Sequence, residues 1–293
     1  MSAESSTTLL AGQEPKWWCC LISRDGADTI GATLDSIIEQ TLPPEFVVVI
    51  NDGSKDETPQ IVEEKSKRWP EIYRIDTKSK TRDIRRVPHL LNLGLEFADQ
   101  KVRTDYMMVA GDDNELPQDY AERIISRMRK EKRTQIVVAS GTFLKSDRSP
   151  MPHGAGRFVR SDFMERLGCR YPVAYGWETW LIYKALELGY QVANYPDVKY
   201  NHLREYDPKN LFGWGRAMYS LGFPTYFVLV RFVLNLLWAS RGTQTRKASV
   251  TMLVGYLSAK LNSDSVRDML ISDEHLKSFV KHFSTARLLS RRI

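Results

Sequence analysis

The decapeptide VVVINDGSKD, residues 47–56, carries the strongest fold signal in this sequence. Its first four residues are all β-branched, as in a fully buried strand, and the next four are typical of a tight turn. The segment Thr58–Arg68 then has the spacing of a helix. The stretch therefore predicts a strand, a turn and a helix in succession, which is the repeating unit of α/β folds with parallel sheets.

The same alternation continues on both sides of this stretch. Apolar runs predict strands at Trp17–Ser23, Phe46–Ile50, Ile72–Ile75, Tyr106–Ala110 and Gln135–Ala139. Helical spacing predicts helices at Thr29–Ile38, Thr58–Arg68, Leu90–Ala98 and Gln118–Glu131. This order predicts a parallel sheet with helices on both faces. Neither a GxGxxG nor a GxxxxGKS/T loop is present, which argues against a dinucleotide oxidoreductase or a P-loop enzyme.

Acidic residues follow three of the predicted strands. Asp25, Asp52 and the pair Asp112-Asp113 each lie in the turn after a strand. Because the carboxyl ends of parallel strands meet at one edge of a sheet, we expect these carboxylates to converge there.

In their order and spacing, the motifs of the chain resemble those of glycosyltransferase family 2. The matching segments are residues 21–37, 47–56, 92–95, 111–117, 177–178, 189–190 and His202. They lie within residues 16–216, which would form the catalytic domain. The resemblance implies the GT-A fold, a Rossmann-like, mostly parallel sheet flanked by helices, and a nucleotide-diphosphate sugar donor, UDP- or GDP-linked. The QxxRW signature of processive members is absent, so transfer of one sugar per turnover is expected.

The resemblance places the nucleotide at the acidic turns. It implies that Asp52 accepts a hydrogen bond from the nucleobase, that Asp25 lies near the base or ribose, and that Asp112 also contacts the nucleotide. The alternative for the turn at Asp52 is a purely structural turn and helix cap. The basic run 78–86, which includes Arg82, is predicted to form either a solvated loop or a flap over the donor's phosphates.

The same acidic pair implies a metal site, because the developing charge of a diphosphate leaving group must be neutralised. Asp113 takes the position of the second Asp of the family's DxD motif, and Gly111 stands where the first would be. A shifted register, in which Asp112, Asp113 and Asn114 supply the ligands, and a plain exposed acidic turn both stay open. His202 falls where the family often has a further metal or diphosphate ligand. The expected cation is Mn²⁺ or Mg²⁺.

Glu178 is the general base that the resemblance implies, since it stands eleven residues before Gly189, where the family has its catalytic Asp. A carboxylate there takes the proton from an acceptor hydroxyl as the oxygen attacks the anomeric carbon from the face opposite the diphosphate. This single displacement inverts the anomeric configuration. The structural alternative is a glutamate that favours a helix start through the helix dipole.

Aromatic and basic residues near this base are candidates for the acceptor or the diphosphate. They are Trp177, Arg204 and Arg216. An aromatic face stacks on a pyranose ring, and a guanidinium binds phosphate oxygens. For Trp180, sugar stacking and core packing are equally compatible with the sequence.

The excess positive charge of the chain lies entirely in its C-terminal tail. The net charge is +6, and residues 241–293 contain ten Lys or Arg against four Asp or Glu. Residues 1–240 are therefore neutral overall. Such a tail suits an anionic membrane surface, and without a nucleic-acid-binding motif we expect no nucleic acid partner.

Residues 217–293 are predicted to form a helical, membrane-associating region. The segment 223–239 is the most apolar of the chain, but Pro224, Arg231 and Asn235 make its insertion as a span marginal. A single crossing would also separate the basic tail from a cytosolic catalytic domain. We therefore expect residues 223–261 to lie in the interface at the cytoplasmic face of a membrane, as in a peripheral or monotopic protein.

The N-terminal residues and the cysteines predict a cytosolic compartment. Residues 1–15 are expected to be flexible, and they lack the basic-then-apolar pattern of a secretory signal. Cys19, Cys20 and Cys169 have no metal-binding spacing, and we expect them to be reduced, buried thiols.

The sequence leaves three functions open. The first is transfer to a hydroxyl of a lipid-linked or membrane-proximal glycan. The second is a polyprenyl-phosphate glycosyltransferase, in which the attacking phosphate is already anionic and requires no base. The third is a non-catalytic, membrane-tethered domain that binds nucleotide sugars. Gly111 and Trp177 depart from the family's motifs and favour this third function, whereas Asp113, Glu178 and His202 argue against it.

Overall fold

The computed structural model describes residues 14–78, 86–130, 135–144, 151–204, 211–238 and 246–289. The described part is built on one eight-stranded sheet. In chain order its strands are β1 (Trp17–Ser23), β2 (Phe46–Asn51), β3 (Ile72–Asp76), β4 (Tyr106–Gly111), β5 (Asn114–Glu115), β6 (Ile136–Phe143), β7 (Arg157–Arg160) and β8 (Gln191–His202). All five strands that the sequence predicts are confirmed, with ends that differ by a few residues.

The strand order is β3-β2-β1-β4-β7-β6-β8-β5. The first four strands pair in parallel, so their carboxyl ends share one edge. The other half is mixed, because β7 is antiparallel to both β4 and β6, whereas β6 and β8 are parallel. The mostly parallel sheet is confirmed. The alternation alone gave no sign that β7 would separate β6 from β4.

Helices cover both faces of this sheet. They are α1 (Ile30–Ile38), α2 (Thr58–Arg68), α3 (Arg86–Ala98), α4 (Tyr120–Lys130), α5 (Ser161–Arg166) and α6 (Trp177–Glu187). Alternate residues of each strand point to opposite faces, so Trp17 and Trp18 enter different cores. One core includes residues of α1, α2 and α4, and the other includes residues of α3 and α6.

The cysteines only partly match the expectation. Cys19 and Cys20 are buried in β1, and burial raises the pKa of the Cys20 thiol to about 12. Cys169 is exposed, so its predicted burial is wrong. It follows Gly168 just after α5, where positive φ angles at both residues end the helix at the surface.

The C-terminal region is helical, as predicted. It consists of α7 (Leu211–Ser220), α8 (Thr225–Trp238), α9 (Arg246–Leu261), a short 3-10 turn at Arg267–Met269 and α10 (Glu274–Leu289). α7 and α9 pack closely, since a Cβ at Gly215 would lie 1.9 Å from the Met252 carbonyl oxygen. Among the residues described, no helix is long and apolar enough to cross a bilayer.

An ion pair joins the start of α10 to α6. Lys184 of α6 donates to Asp273 Oδ2 at 2.7 Å, and the Leu276 N–H donates to Asp273 Oδ1 at 2.9 Å. Burial alone would raise the pKa of Asp273, but the hydrogen bonds from Lys184 and Leu276 outweigh it, so the pKa lies below its usual value. Ionised Asp273 therefore stabilises the docked helix.

Replacing this carboxylate gives a pH-dependent loss of stability. We expect Asp273→Asn to lower the free energy of unfolding by about 1 kcal/mol at neutral pH. Because the folded-state pKa of Asp273 is lowered, its contribution is complete above the usual value of 3.8 and is lost as pH falls through the folded-state value. Urea unfolding at several pH values measures the difference, and Asp264→Asn is the matched control. A difference that is constant with pH would contradict this account.

Candidate active site

The loops after β1, β2 and β4 meet at the carboxyl edge of the parallel strands. The Asp25 N–H donates to Ser54 Oγ at 3.0 Å, and the Lys55 N–H donates back to Asp25 Oδ1 at 2.8 Å. Ser23 Oγ donates to Asp112 Oδ2 at 2.6 Å. The predicted convergence of the acidic turns is therefore confirmed.

The loop after β1 is shaped closely around Asp112. Asp25 has a φ of 52°, in the left-handed region that non-glycine residues seldom adopt. A Cβ at Gly26 would lie 2.3 Å from Asp112 Oδ2, so only glycine leaves room for that carboxylate.

Asp52 is buried and bound by cations. The Arg86 guanidinium donates to Asp52 Oδ1 through Nε at 3.0 Å and through Nη2 at 2.5 Å. Thr77 Oγ1 donates to the same oxygen at 2.9 Å, and Arg24 Nη1 lies 3.7 Å from Oδ2. Oδ2 retains the capacity to accept a further hydrogen bond.

Arg204 binds two of the carboxylates at the carboxyl edge of the parallel strands, which we call the acidic edge. Its Nη1 donates to Asp112 Oδ1 at 3.1 Å, and its Nη2 donates to Asp28 Oδ1 at 2.8 Å. Burial raises the pKa of the Asp112 carboxyl, and the Ser23 hydroxyl and Arg204 only partly oppose that effect. A buried carboxyl whose pKa is shifted by burial and by specific partners marks a candidate functional residue.

Asp113 points to a different partner from Asp112. Its Oδ2 lies 3.4 Å from His202 Nδ1, and its backbone carbonyl accepts a hydrogen bond from the Leu203 N–H. β5 and β8 bring these residues together, because Asn114 pairs with His202 in the sheet. An acidic and an imidazole ligand type therefore stand side by side at this edge.

Glu178 lies in the first turn of α6, and its side chain is 41% exposed. Arg157, which is buried in β7, holds it by donating to the Glu178 carbonyl at 3.1 Å and to Oε1 at 3.4 Å. A Cβ at Gly154 would lie 1.7 Å from Oε1. The carboxylate is therefore held in place on one side and open to solvent on the other.

A chain of contacts links Glu178 to the Asp113–His202 pair. The Phe143 ring centroid lies 5.1 Å from that of His202 and 5.5 Å from that of His153. Arg157 Nε donates to the His153 carbonyl at 2.8 Å, which completes the link to Glu178. Burial lowers the pKa of His153, and Arg157 and His202 add to the effect, so its imidazole is neutral at pH 7.

The remaining aromatic and basic candidates are placed differently. Trp180 is buried, so core packing is its role, whereas Trp177 is half-buried with its ring edge-on to Tyr171. Arg216 donates to Tyr175 Oη at 2.8 Å and stacks over Phe212. Those contacts do not bring Arg216 to the acidic pair.

A cavity of about 520 Å³ opens elsewhere, at the amino-terminal edge of the sheet. Trp18, Phe46 and Met107 at the starts of their strands line it together with Cys169. None of the predicted site residues lies in its lining. The acidic edge, and not this cavity, is therefore the candidate active site.

Comparison with known protein families identifies the chain. The sequence profile of glycosyl transferase family 2 matches residues 19–186, which is more than half of the chain. The chain belongs to glycosyltransferase family 2. The resemblance seen in its motifs is thereby confirmed, and so is its assignment as a glycosyltransferase. A search of curated protein sequences finds no match.

Solved structures share the GT-A fold of this family 2 enzyme at low sequence identity. A mannosyltransferase from Pyrobaculum calidifontis, in complex with GDP-Man and Mn²⁺, is 16% identical with a TM-score of 0.59, and the match covers 96% of this chain and 89% of that one. Residues 1–349 of TarS from S. aureus, in complex with UDP-GlcNAc, are 12% identical with a TM-score of 0.52, covering 94% and 88%.

A third structure is glucosyl-3-phosphoglycerate synthase from Mycobacterium tuberculosis, in complex with Mn²⁺, UDP and glucosyl-3-phosphoglycerate. It is 11% identical with a TM-score of 0.53, and the match covers 70% of this chain and 78% of that one. These likenesses confirm the predicted fold.

Several site residues escaped the sequence reasoning. Residues 79–85 of the basic run, for which a loop or flap is predicted, lie outside the described residues, whereas Arg86 is the first residue of α3 and binds Asp52. Arg82 lies outside the described residues. No motif in the sequence marks Arg157 or His153 as a site residue, and the only local signal is Gly154 next to His153.

Proposed function

We propose that this family 2 enzyme is an inverting, metal-dependent glycosyltransferase. It would move one sugar from a nucleotide-diphosphate donor to a hydroxyl of a lipid-linked or membrane-proximal glycan. The observation that carries the proposal is the chain of contacts that links Glu178, through Arg157, His153 and Phe143, to His202 and Asp113. A base and a cation-binding pair are the two groups that an inverting displacement requires.

The Asp52–Arg86 pair supports binding of the nucleobase. Asp52 Oδ2 can accept a base N–H, and a guanidinium beside it can donate to a base carbonyl. Structural relatives bind GDP-Man, UDP-GlcNAc and UDP. The base of each of these nucleotides carries both an N–H donor and a carbonyl acceptor. Asp112, which is held by Ser23 and Arg204, would accept hydrogen bonds from the ribose hydroxyls.

The residues present fit a divalent cation. Asp113 offers a carboxylate and His202 an imidazole, and both side chains are partly exposed at the same edge. The described residues contain no cluster of three or more His, Cys, Asp or Glu, so phosphate oxygens and water would complete the coordination. When bound, Mn²⁺ or Mg²⁺ would neutralise the charge that develops on the leaving diphosphate.

The transfer itself requires one proton acceptor from the protein. The acceptor oxygen forms its bond to the anomeric carbon as the bond from that carbon to the diphosphate oxygen breaks, and the hydroxyl proton moves to Glu178. Arg157 fixes the orientation of Glu178 by holding both its backbone carbonyl and its Oε1. Because His153 is neutral, it adds no positive charge beside the base.

A donor screen tests this function directly. We expect one class of nucleotide sugar, UDP- or GDP-linked, to raise the Tm by about 5–10 °C at saturating concentration, and Mn²⁺ to enlarge the shift. Asp52→Ala should abolish the shift for every donor, whereas Asp76→Ala serves as a control on the neighbouring strand. Absence of a shift with any nucleotide sugar, with and without Mn²⁺, would contradict the proposal.

A further inference from the structure

The outer face of α8 is apolar along its whole length. Its exposed side chains recur at helical spacing, so they form one stripe along the helix. The stripe consists of Tyr226, Leu229, Val230, Val233 and Leu237. The buried face of α8 is separate from it, since Phe227 and Val228 pack into the core beneath.

A second stripe lies on α9. Val250, Val254, Leu257 and Leu261 are exposed and recur every three or four residues. The opposite face of α9, which includes Met252 and Tyr256, is buried against α7.

The two helices touch at the start of α8, so the two stripes lie on neighbouring helices. Lys260 Nζ donates to Thr225 Oγ1 at 2.9 Å, and Tyr256 Oη shares a hydrogen bond with the same hydroxyl. Nine exposed apolar side chains on two neighbouring helices are unusual for a surface that meets only water.

The charge of the segment that carries the stripes is of one sign. Residues 211–263 contain six Lys or Arg and not a single Asp or Glu. Lys247 and Lys260 are exposed on α9 beside its stripe. Apolar side chains next to cations are complementary to lipid tails below anionic headgroups.

We propose that α8 and α9 dock this enzyme onto an anionic membrane by inserting these two apolar stripes, with the helices parallel to the bilayer plane. The inference is independent of the proposed transfer reaction. A second copy of the chain suits the surface less well, because self-association would place like charges against each other with no carboxylate from residues 211–263 to pair them. Docking at the cytoplasmic leaflet would bring a lipid-linked acceptor to the enzyme.

Vesicle flotation of the full-length protein tests the proposal. We expect binding to phosphatidylcholine vesicles with about 30 mol% phosphatidylglycerol, and binding at least about tenfold weaker without the anionic lipid. Raising NaCl from about 0.1 M to about 0.5 M should weaken the binding. The double variant Val233→Asp/Val254→Asp should bind about a hundredfold more weakly, because each carboxylate would have to enter the interface.

The matched control is Val102→Asp, since Val102 is 50% exposed, as against 49% for Val233 and 50% for Val254, and lines the cavity at the amino-terminal edge of the sheet, outside α8 and α9. It should bind vesicles as the wild type does. Equal binding by the wild type and the double variant would overturn the proposal. The proposal would also be overturned if the wild type were a dimer that does not bind vesicles and the double variant were a monomer, because the surface would then serve self-association. Donor-induced Tm shifts should be unchanged in all variants, so a failure here leaves the transfer function separately testable.

Discussion

Replacing Glu178 by glutamine should lower kcat by a factor of about 10² to 10⁴ with a hydroxyl acceptor. Glutamine has the shape of glutamate and still accepts a hydrogen bond from Arg157, but it cannot take a proton at neutral pH. The KM for the donor should change little, because Glu178 is held by Arg157 and is separate from the Asp52–Arg86 pair that is proposed to bind the nucleobase. Initial rates at saturating donor, followed by release of the nucleoside diphosphate, measure the effect.

The control for this variant is Glu165→Gln. Glu165 is also paired with an arginine, Arg103, and its side chain is 46% exposed, as against 41% for Glu178. That substitution should leave kcat unchanged. Arg157 is buried and loses a charged partner in Glu178→Gln, so a loss of about 1–2 kcal/mol in stability is expected and is measured separately as a Tm shift.

The same variant separates two acceptor classes. If the acceptor is a polyprenyl phosphate, the attacking oxygen is already anionic, and Glu178→Gln should keep near-normal turnover. Near-normal turnover with a hydroxyl acceptor would instead show that the base is another residue. Comparing one hydroxyl and one phosphate acceptor with the same two proteins therefore decides between the proposed function and its closest rival.

Local sequence was enough to predict the parallel half of the sheet. In β2 the run of four β-branched residues and the turn after it are short-range signals, and the rule that parallel strands end at one edge then placed Asp25, Asp52 and Asp112 together. The strand β7 is different. It has four residues, two of them arginine, and it exists because it pairs with β4 and β6, which are distant in sequence.

The positions of the site's arginines were not predictable for a related reason. The chain contains 42 Lys and Arg, and nothing in the local pattern marks Arg86 or Arg157 as different from the others. Arg86, the first residue of α3, binds Asp52 after β2, and Arg157 of β7 binds Glu178 of α6, so both pairs join residues that are distant in sequence. Partner choice by long side chains is set by tertiary structure, whereas carboxylates at strand ends are positioned by topology.

The second large effect is expected from replacing Asp113, the residue of the acidic pair that is proposed to bind the metal. The structure turns Asp112 towards Ser23 and Arg204, and Asp113 towards His202. Asp113→Asn should therefore lower kcat/KM by about a hundredfold and raise the Mn²⁺ concentration required for half-maximal activity, because a neutral amide is a weaker ligand for a hard cation. A titration of activity with Mn²⁺ in chelator-treated enzyme measures both changes.

The variant Asp112→Asn tests which of the two adjacent carboxylates binds the metal. It should weaken donor binding while leaving the Mn²⁺ requirement near that of the wild type, because Asp112 is engaged by Ser23 and Arg204 on the nucleotide side. Asp119→Asn, a paired surface acid at the start of α4, should change neither property. The opposite result, with Asp112→Asn raising the Mn²⁺ requirement and Asp113→Asn leaving it unchanged, would move the cation to the other carboxylate. Because Asp112 and Asp113 are adjacent in sequence yet face different partners, only this pair of variants separates nucleotide binding from metal binding.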